Sequence, residues 1–140
     1  MITTQQKYNK ERNLDLTEEE FSLLVNLYPV IIVAISDGLF DKLEQEYVAD
    51  ISANAALELY EDEKKSEKFA VILFDELKYL AENGDYWKEN FLKILSKELT
   101  ATDKDVLYKM LKETAEVSHG LDKKEINAIN EILSLINYEK

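Results

Sequence analysis

From residue 17 onward, apolar residues recur three or four positions apart, the spacing that places them on one face of an α-helix. Phe21, Leu24, Tyr28, Ile31, Ile32 and Ile35 form the first such stripe. It opens at Thr17-Glu18-Glu19-Glu20, a capping box in which the Thr17 hydroxyl accepts the Glu20 amide and the Glu20 carboxylate reaches back. Pro29 lies inside the stripe and removes a backbone donor, which predicts a kink or break there. A second stripe, Leu43, Tyr47, Ile51, Ala55 and Leu59, begins at Asp41 with Glu44 as its reciprocal capping partner. The charged stretch 61–65 reads as a linker.

Four further stripes follow the same logic. Phe69, Ile72, Leu73, Leu77 and Leu80 face inward on a helix that ends at Asn83-Gly84. Asp85 caps the next, with Trp87, Phe91, Ile94, Leu95 and Leu99. Thr102-Asp103-Lys104-Asp105 starts another, whose apolar positions include Val106, Met110 and Val117. Asp122 caps the last, with Ile126, Ile129, Ile132, Leu133 and Ile136. No segment alternates as a strand does. The expectation is an all-α bundle of six helices, near 17–36, 41–60, 66–83, 85–99, 102–118 and 122–138. The polar, unpatterned residues 1–15 read as a flexible N-terminal arm, leaving 16–140 as one domain.

All three glycines stand at the expected helix ends, where a left-handed residue costs least, and they divide the chain into three helical hairpins. Two of them sit in similar wording. Ser36-Asp37-Gly38-Leu39-Phe40-Asp41-Lys42-Leu43-Glu44 and Ser118-His119-Gly120-Leu121-Asp122-Lys123-Lys124-Glu125 each place an Asp-x-x-Glu after the glycine. Asp41 to Asp122 and Glu44 to Glu125 share an offset of 81 residues. The expectation is a pseudo-twofold in which hairpins 24–56 and 106–137 superpose, Glu44 over Glu125.

The balance of 29 acidic against 17 basic residues gives a net charge of −12, which repels nucleic acid and anionic membranes and favours cations or basic proteins. The absence of cysteine excludes disulfides and thiolate sites. The longest apolar run, 28–35, is far short of the roughly 20 residues that span a bilayer, and residues 1–7 lack a signal-peptide core, so a cytoplasmic location is expected. One histidine and no glycine-rich phosphate loop leave nucleophilic catalysis little support.

The apolar segment 30–35, running into Asp37-Gly38-Leu39-Phe40-Asp41-Lys42-Leu43-Glu44, resembles the acidic corner of the TerB-like tellurite-resistance family, over roughly residues 17–137. Gly120-Leu121-Asp122-Lys123-Lys124-Glu125 is similar to that family's second corner, with His119 where a second Asp would match the first. The resemblance implies a compact helical domain with internal pseudosymmetry, an acidic surface and a divalent-cation role. Measured against an EF-hand, Gly38, Asp41 and Glu44 fall at loop positions six, nine and twelve, but Val33 and Ile35 occupy positions one and three, where carboxylates are required.

Two readings fit the acids. Asp37, Asp41, Glu44, Asp122 and Glu125 are ligands for calcium, magnesium or manganese, hard cations that take carboxylate oxygens. Alternatively Asp41 with Glu44, and Asp122 with Glu125, cap helices, and Asp37 is a turn residue. His119 suits a helix C-terminus, where the dipole favours imidazolium. The expected function is a non-enzymatic acidic binding module, cation-responsive and related to tellurite resistance. The alternatives are a metal-independent adaptor for a basic protein and a carboxylate-dependent hydrolase, the latter disfavoured because inward Glu-x-x-His pairs are missing.

Overall fold

The computed structural model describes residues 3–36, 40–118, 123–136 and 138. Among them the chain forms seven α-helices and no strand: α1 (Thr4–Arg12), α2 (Glu18–Ala34), α3 (Lys42–Leu59), α4 (Glu63–Asn83), α5 (Lys88–Glu98), α6 (Ala101–Ser118) and α7 (Lys123–Leu135), with a 3-10 turn at Gly84–Tyr86 between α4 and α5. The all-α expectation holds. None of the described helices is long and apolar enough to cross a membrane.

The most apolar helix, α2, is the axis. Every residue from Leu27 to Ala34 is buried, so this stretch has no solvent face and must be enclosed on all sides. Packing against α3, α4, α5, α6 and α7 encloses it. That burial also explains why, of the kink or break expected at Pro29, the break does not occur: α2 runs through it. The missing donor forfeits one intrahelical bond, whereas the surrounding Leu24, Val25, Tyr28, Val30 and Ile31 are almost wholly withdrawn from water.

Helix starts are set by side-chain caps, each satisfying an otherwise orphaned amide. Thr17 and Glu20 form the expected box. The second Glu20 oxygen accepts the Tyr60 hydroxyl at 2.8 Å, tying the start of α2 to the end of α3. Asp62 accepts from the amides of Lys64 and Lys65. The expected linker at 61–65 is therefore shorter, because α4 already begins at Glu63. Thr100 and Asp103 box the start of α6, two residues ahead of the expected Thr102.

The expected N-terminal arm is a helix. Thr3 and Gln6 cap α1 reciprocally, and Asn13 closes it at φ 55°, a left-handed conformation that asparagine tolerates. Asn9 then clasps the following turn: its Oδ1 accepts the Leu16 amide at 3.0 Å and its Nδ2 donates to the Leu16 carbonyl at 3.1 Å. Tyr8, fully buried, packs its ring against Phe21, Trp87 and Phe91. One aromatic and a set of directed hydrogen bonds hold a helix that has no apolar stripe.

Gly84 differs from the expectation as well. Its φ of −65° and ψ of −29° are ordinary right-handed values, so no left-handed turn requires glycine here. A Cβ at this position would lie 2.8 Å from the Tyr28 hydroxyl, which donates to the Gly84 carbonyl at 3.1 Å. Glycine is needed because Tyr28 comes so close. Nor does Asp85 cap α5: it lies in the 3-10 turn, and Trp87 stands at the cap position without a side-chain bond. Gly38 and Gly120 lie outside the described residues, as do Asp37 and Leu39 of the first corner and His119, Leu121 and Asp122 of the second, so the expected superposition of the two corners falls there too.

Candidate functional site

At the first acidic corner the two best-described acids are used on backbone. Asp41 Oδ1 accepts the Glu44 amide at 2.8 Å, and the Asp41 amide donates to Glu44 Oε1 at 3.1 Å. Glu44 is buried, with 1% of its surface exposed. Glu125 matches it: it too is the third residue of its helix and is 1% exposed. Asp37, Asp122 and His119 lie outside the described residues. Among those that are described, no three carboxylates or histidines gather to hold a metal, so Asp41, Glu44 and Glu125 do not form a cage by themselves. The six to eight oxygens that calcium takes would require further donors.

Sequence reasoning missed a different acid. Glu76 lies in the inward stripe of α4 between Leu73 and Leu77 and is 5% exposed. Its Oε1 accepts both the Tyr8 hydroxyl and Arg12 Nε at 2.8 Å, and its Oε2 accepts a second guanidinium nitrogen at 3.2 Å. Arg12 also covers the Tyr79 ring, 3.7 Å from its centroid. Burial, and then the hydrogen bond to the Glu76 carboxylate, push the Tyr8 phenol far above its usual range. The bond to Glu76 also raises the Arg12 guanidinium. A lone acid on an apolar stripe, with Tyr8 and Arg12 four apart near the N-terminus, was the available signal. This trio is a structural clamp between α1 and α4, since both oxygens of Glu76 accept from Tyr8 or Arg12.

An open groove of about 950 Å³ lies where the starts of α1 and α2 meet the ends of α3 and α5. Its floor carries the half-buried side chains Leu23, Ala55, Leu59 and Ile94. Four exposed carboxylates, Glu18, Glu19, Glu58 and Glu98, stand around it, and among the described residues no lysine, arginine or histidine lines it. Glu18 and Glu19 read in sequence only as partners of a helix dipole. Glu58 and Glu98 are brought to them by the packing of α3 and α5 around α2. Like charges held on low-dielectric walls focus a negative potential into the cleft. A smaller cavity of about 660 Å³ lies beside Gly84, where Glu11, Tyr79 and Lys88 meet.

No family model, curated protein or solved structure matches this chain.

Proposed function

We propose that this chain is a non-enzymatic acidic binding module that takes a basic protein partner. The observation that carries this reading is the groove between α1, α2, α3 and α5, rimmed by four glutamates and lined by no cationic side chain among the described residues. A net charge of −12 supports it, because the whole surface steers positive partners toward the cleft. The test is titration with a fluorescent oligolysine peptide against oligoglutamate at low and high salt. Oligolysine binds, weakens as salt rises, and loses most affinity to a Glu18, Glu19, Glu58 and Glu98→Gln variant. Equal binding by that variant refutes the reading.

A second reading follows the TerB-like resemblance, in which divalent cations regulate the module within tellurite resistance. It is favoured by the burial of Glu44 and Glu125 at matching helix positions. On this reading Asp37, Asp41, Glu44, Asp122 and Glu125 share the ion. At a hundredfold excess over the dissociation constant, bound ion stabilises the fold by about 2.7 kcal/mol, which raises Tm by roughly 10 °C. Calorimetry in calcium, magnesium and manganese against ionic-strength-matched sodium chloride measures it. Glu44→Gln abolishes the divalent shift. Failure of all three ions to exceed sodium removes the cation and leaves the metal-independent module.

A further inference from the structure

The groove has two chemistries, and a polycation uses only one of them. Charge around the rim is answered by lysine or arginine. The floor of Leu23, Ala55, Leu59 and Ile94 is answered only by apolar side chains entering between the acids. We propose that the groove receives an amphipathic helix with a leucine-like stripe flanked by lysines or arginines, an inference that rests on the binding-module reading above.

Three observations select this occupant. No strand exists among the described residues, so there is no sheet edge for an extended peptide to join, and the walls are helices, against which another helix packs ridge into groove. The groove is open to solvent and not enclosed, so side chains projecting from a helix enter it from the open side. The acids come from different elements: Glu18 and Glu19 from the first turn of α2, Glu58 from the end of α3, Glu98 from the end of α5. Cations flanking an apolar stripe on both sides can therefore meet carboxylates while the stripe reaches the floor. The same negative rim disfavours an anionic lipid surface.

The test uses the full chain and three fluorescent peptides of equal length. One is a leucine–lysine peptide with leucines at helical spacing, one is its scrambled isomer, and one is oligolysine. Anisotropy is read at low and high salt. The amphipathic peptide binds about tenfold tighter than the scrambled isomer, gains helical circular dichroism on binding, and keeps part of its affinity at high salt. Glu18, Glu58 and Glu98→Gln together weaken it and flatten its salt dependence. Glu46, Glu67 and Glu116→Gln, an equal charge change at exposed sites away from the groove, leaves it within about twofold. Leu59→Gln weakens the amphipathic peptide but not oligolysine. If that variant does not fold, Ala55→Leu, which fills the floor, makes the same distinction.

Equal binding of the scrambled isomer overturns the helix inference while the basic-partner reading stands. Unchanged binding of the amphipathic peptide to both the rim and the floor variants places it elsewhere and overturns the inference. If no peptide binds even at low salt, both readings fall.

Discussion

Single side chains in this molecule act at long range in the sequence. Tyr8 reaches Glu76 across 68 positions and Arg12 reaches it across 64. Replacing Tyr8 with Phe keeps the ring packing and removes one charge-assisted hydrogen bond, a loss of about 1.5 kcal/mol near pH 8. The pH dependence has a definite sign. The folded phenol titrates above the unfolded one, so its stabilisation is complete below about pH 10 and falls as pH rises further. Each such tyrosine contributes a slope of about 1.4 kcal/mol per pH unit. Denaturant unfolding between pH 8 and 11 should therefore show wild type losing its advantage over Tyr8→Phe, and a constant gap would contradict the buried phenol. Arg12→Leu is harsher: it leaves a buried carboxylate with the tyrosine alone and costs about 3 kcal/mol, measurable by the same unfolding curves. Little of this was legible in sequence, because hydrophobic periodicity does not register a helix held by one aromatic and an ion pair.

At the scale of elements, the sequence was read well where a cap and a stripe agree. The Thr17–Glu20 and Asp41–Glu44 boxes occur as spaced. Faces were read less well where the inward residues are small or polar. On α3 the buried line is Glu44, Val48, Ser52 and Ala56, while the expected Tyr47, Ile51, Ala55 and Leu59 flank it half-buried and Leu43 is exposed. On α6 the buried residues are Leu107, Leu111, Thr114 and Ala115; Val106 is exposed, Met110 is half-buried, and the Val117 side chain lies outside the described residues. Ile126 of α7 is likewise exposed. Apolar period identifies the widest stripe, whereas close helix packing selects residues that let backbones approach. The junction of α4 and α5 makes this quantitative. Gly84→Ala drives a methyl against the Tyr28 hydroxyl and should cost about 1–3 kcal/mol. In a Tyr28→Phe background the obstructing oxygen is gone, so the same substitution should cost at least about 1 kcal/mol less. A double-mutant cycle from urea unfolding measures that coupling, and additive effects would mean that the contact does not decide the residue.

Over the whole molecule, 29 acidic residues outnumber 17 basic ones. Ion pairs among the described residues include Arg12–Glu76, Lys88–Glu131 and Lys93–Glu89. Screening lengths shrink from about 10 Å at 0.1 M salt to about 3 Å at 1 M, so added sodium chloride should stabilise the fold. A rise in Tm of roughly 3–6 °C between 0.02 and 0.3 M is expected by calorimetry, and a fall would show that local pairs outweigh the general repulsion. The composition made this charge plain, but not the groove, because its glutamates become neighbours only when α3 and α5 pack on α2. The central place of α2 bears as well on how the chain is made. Its neighbour α7 leaves the ribosome roughly a hundred residues later, a delay of about 5–20 s at 5–20 residues per second. Throughout that interval the nascent chain carries its most apolar helix with one flank uncovered. A polypeptide ended after Thr100, without α6 and α7, would leave that flank of α2 uncovered permanently, and it should self-associate more than the full chain.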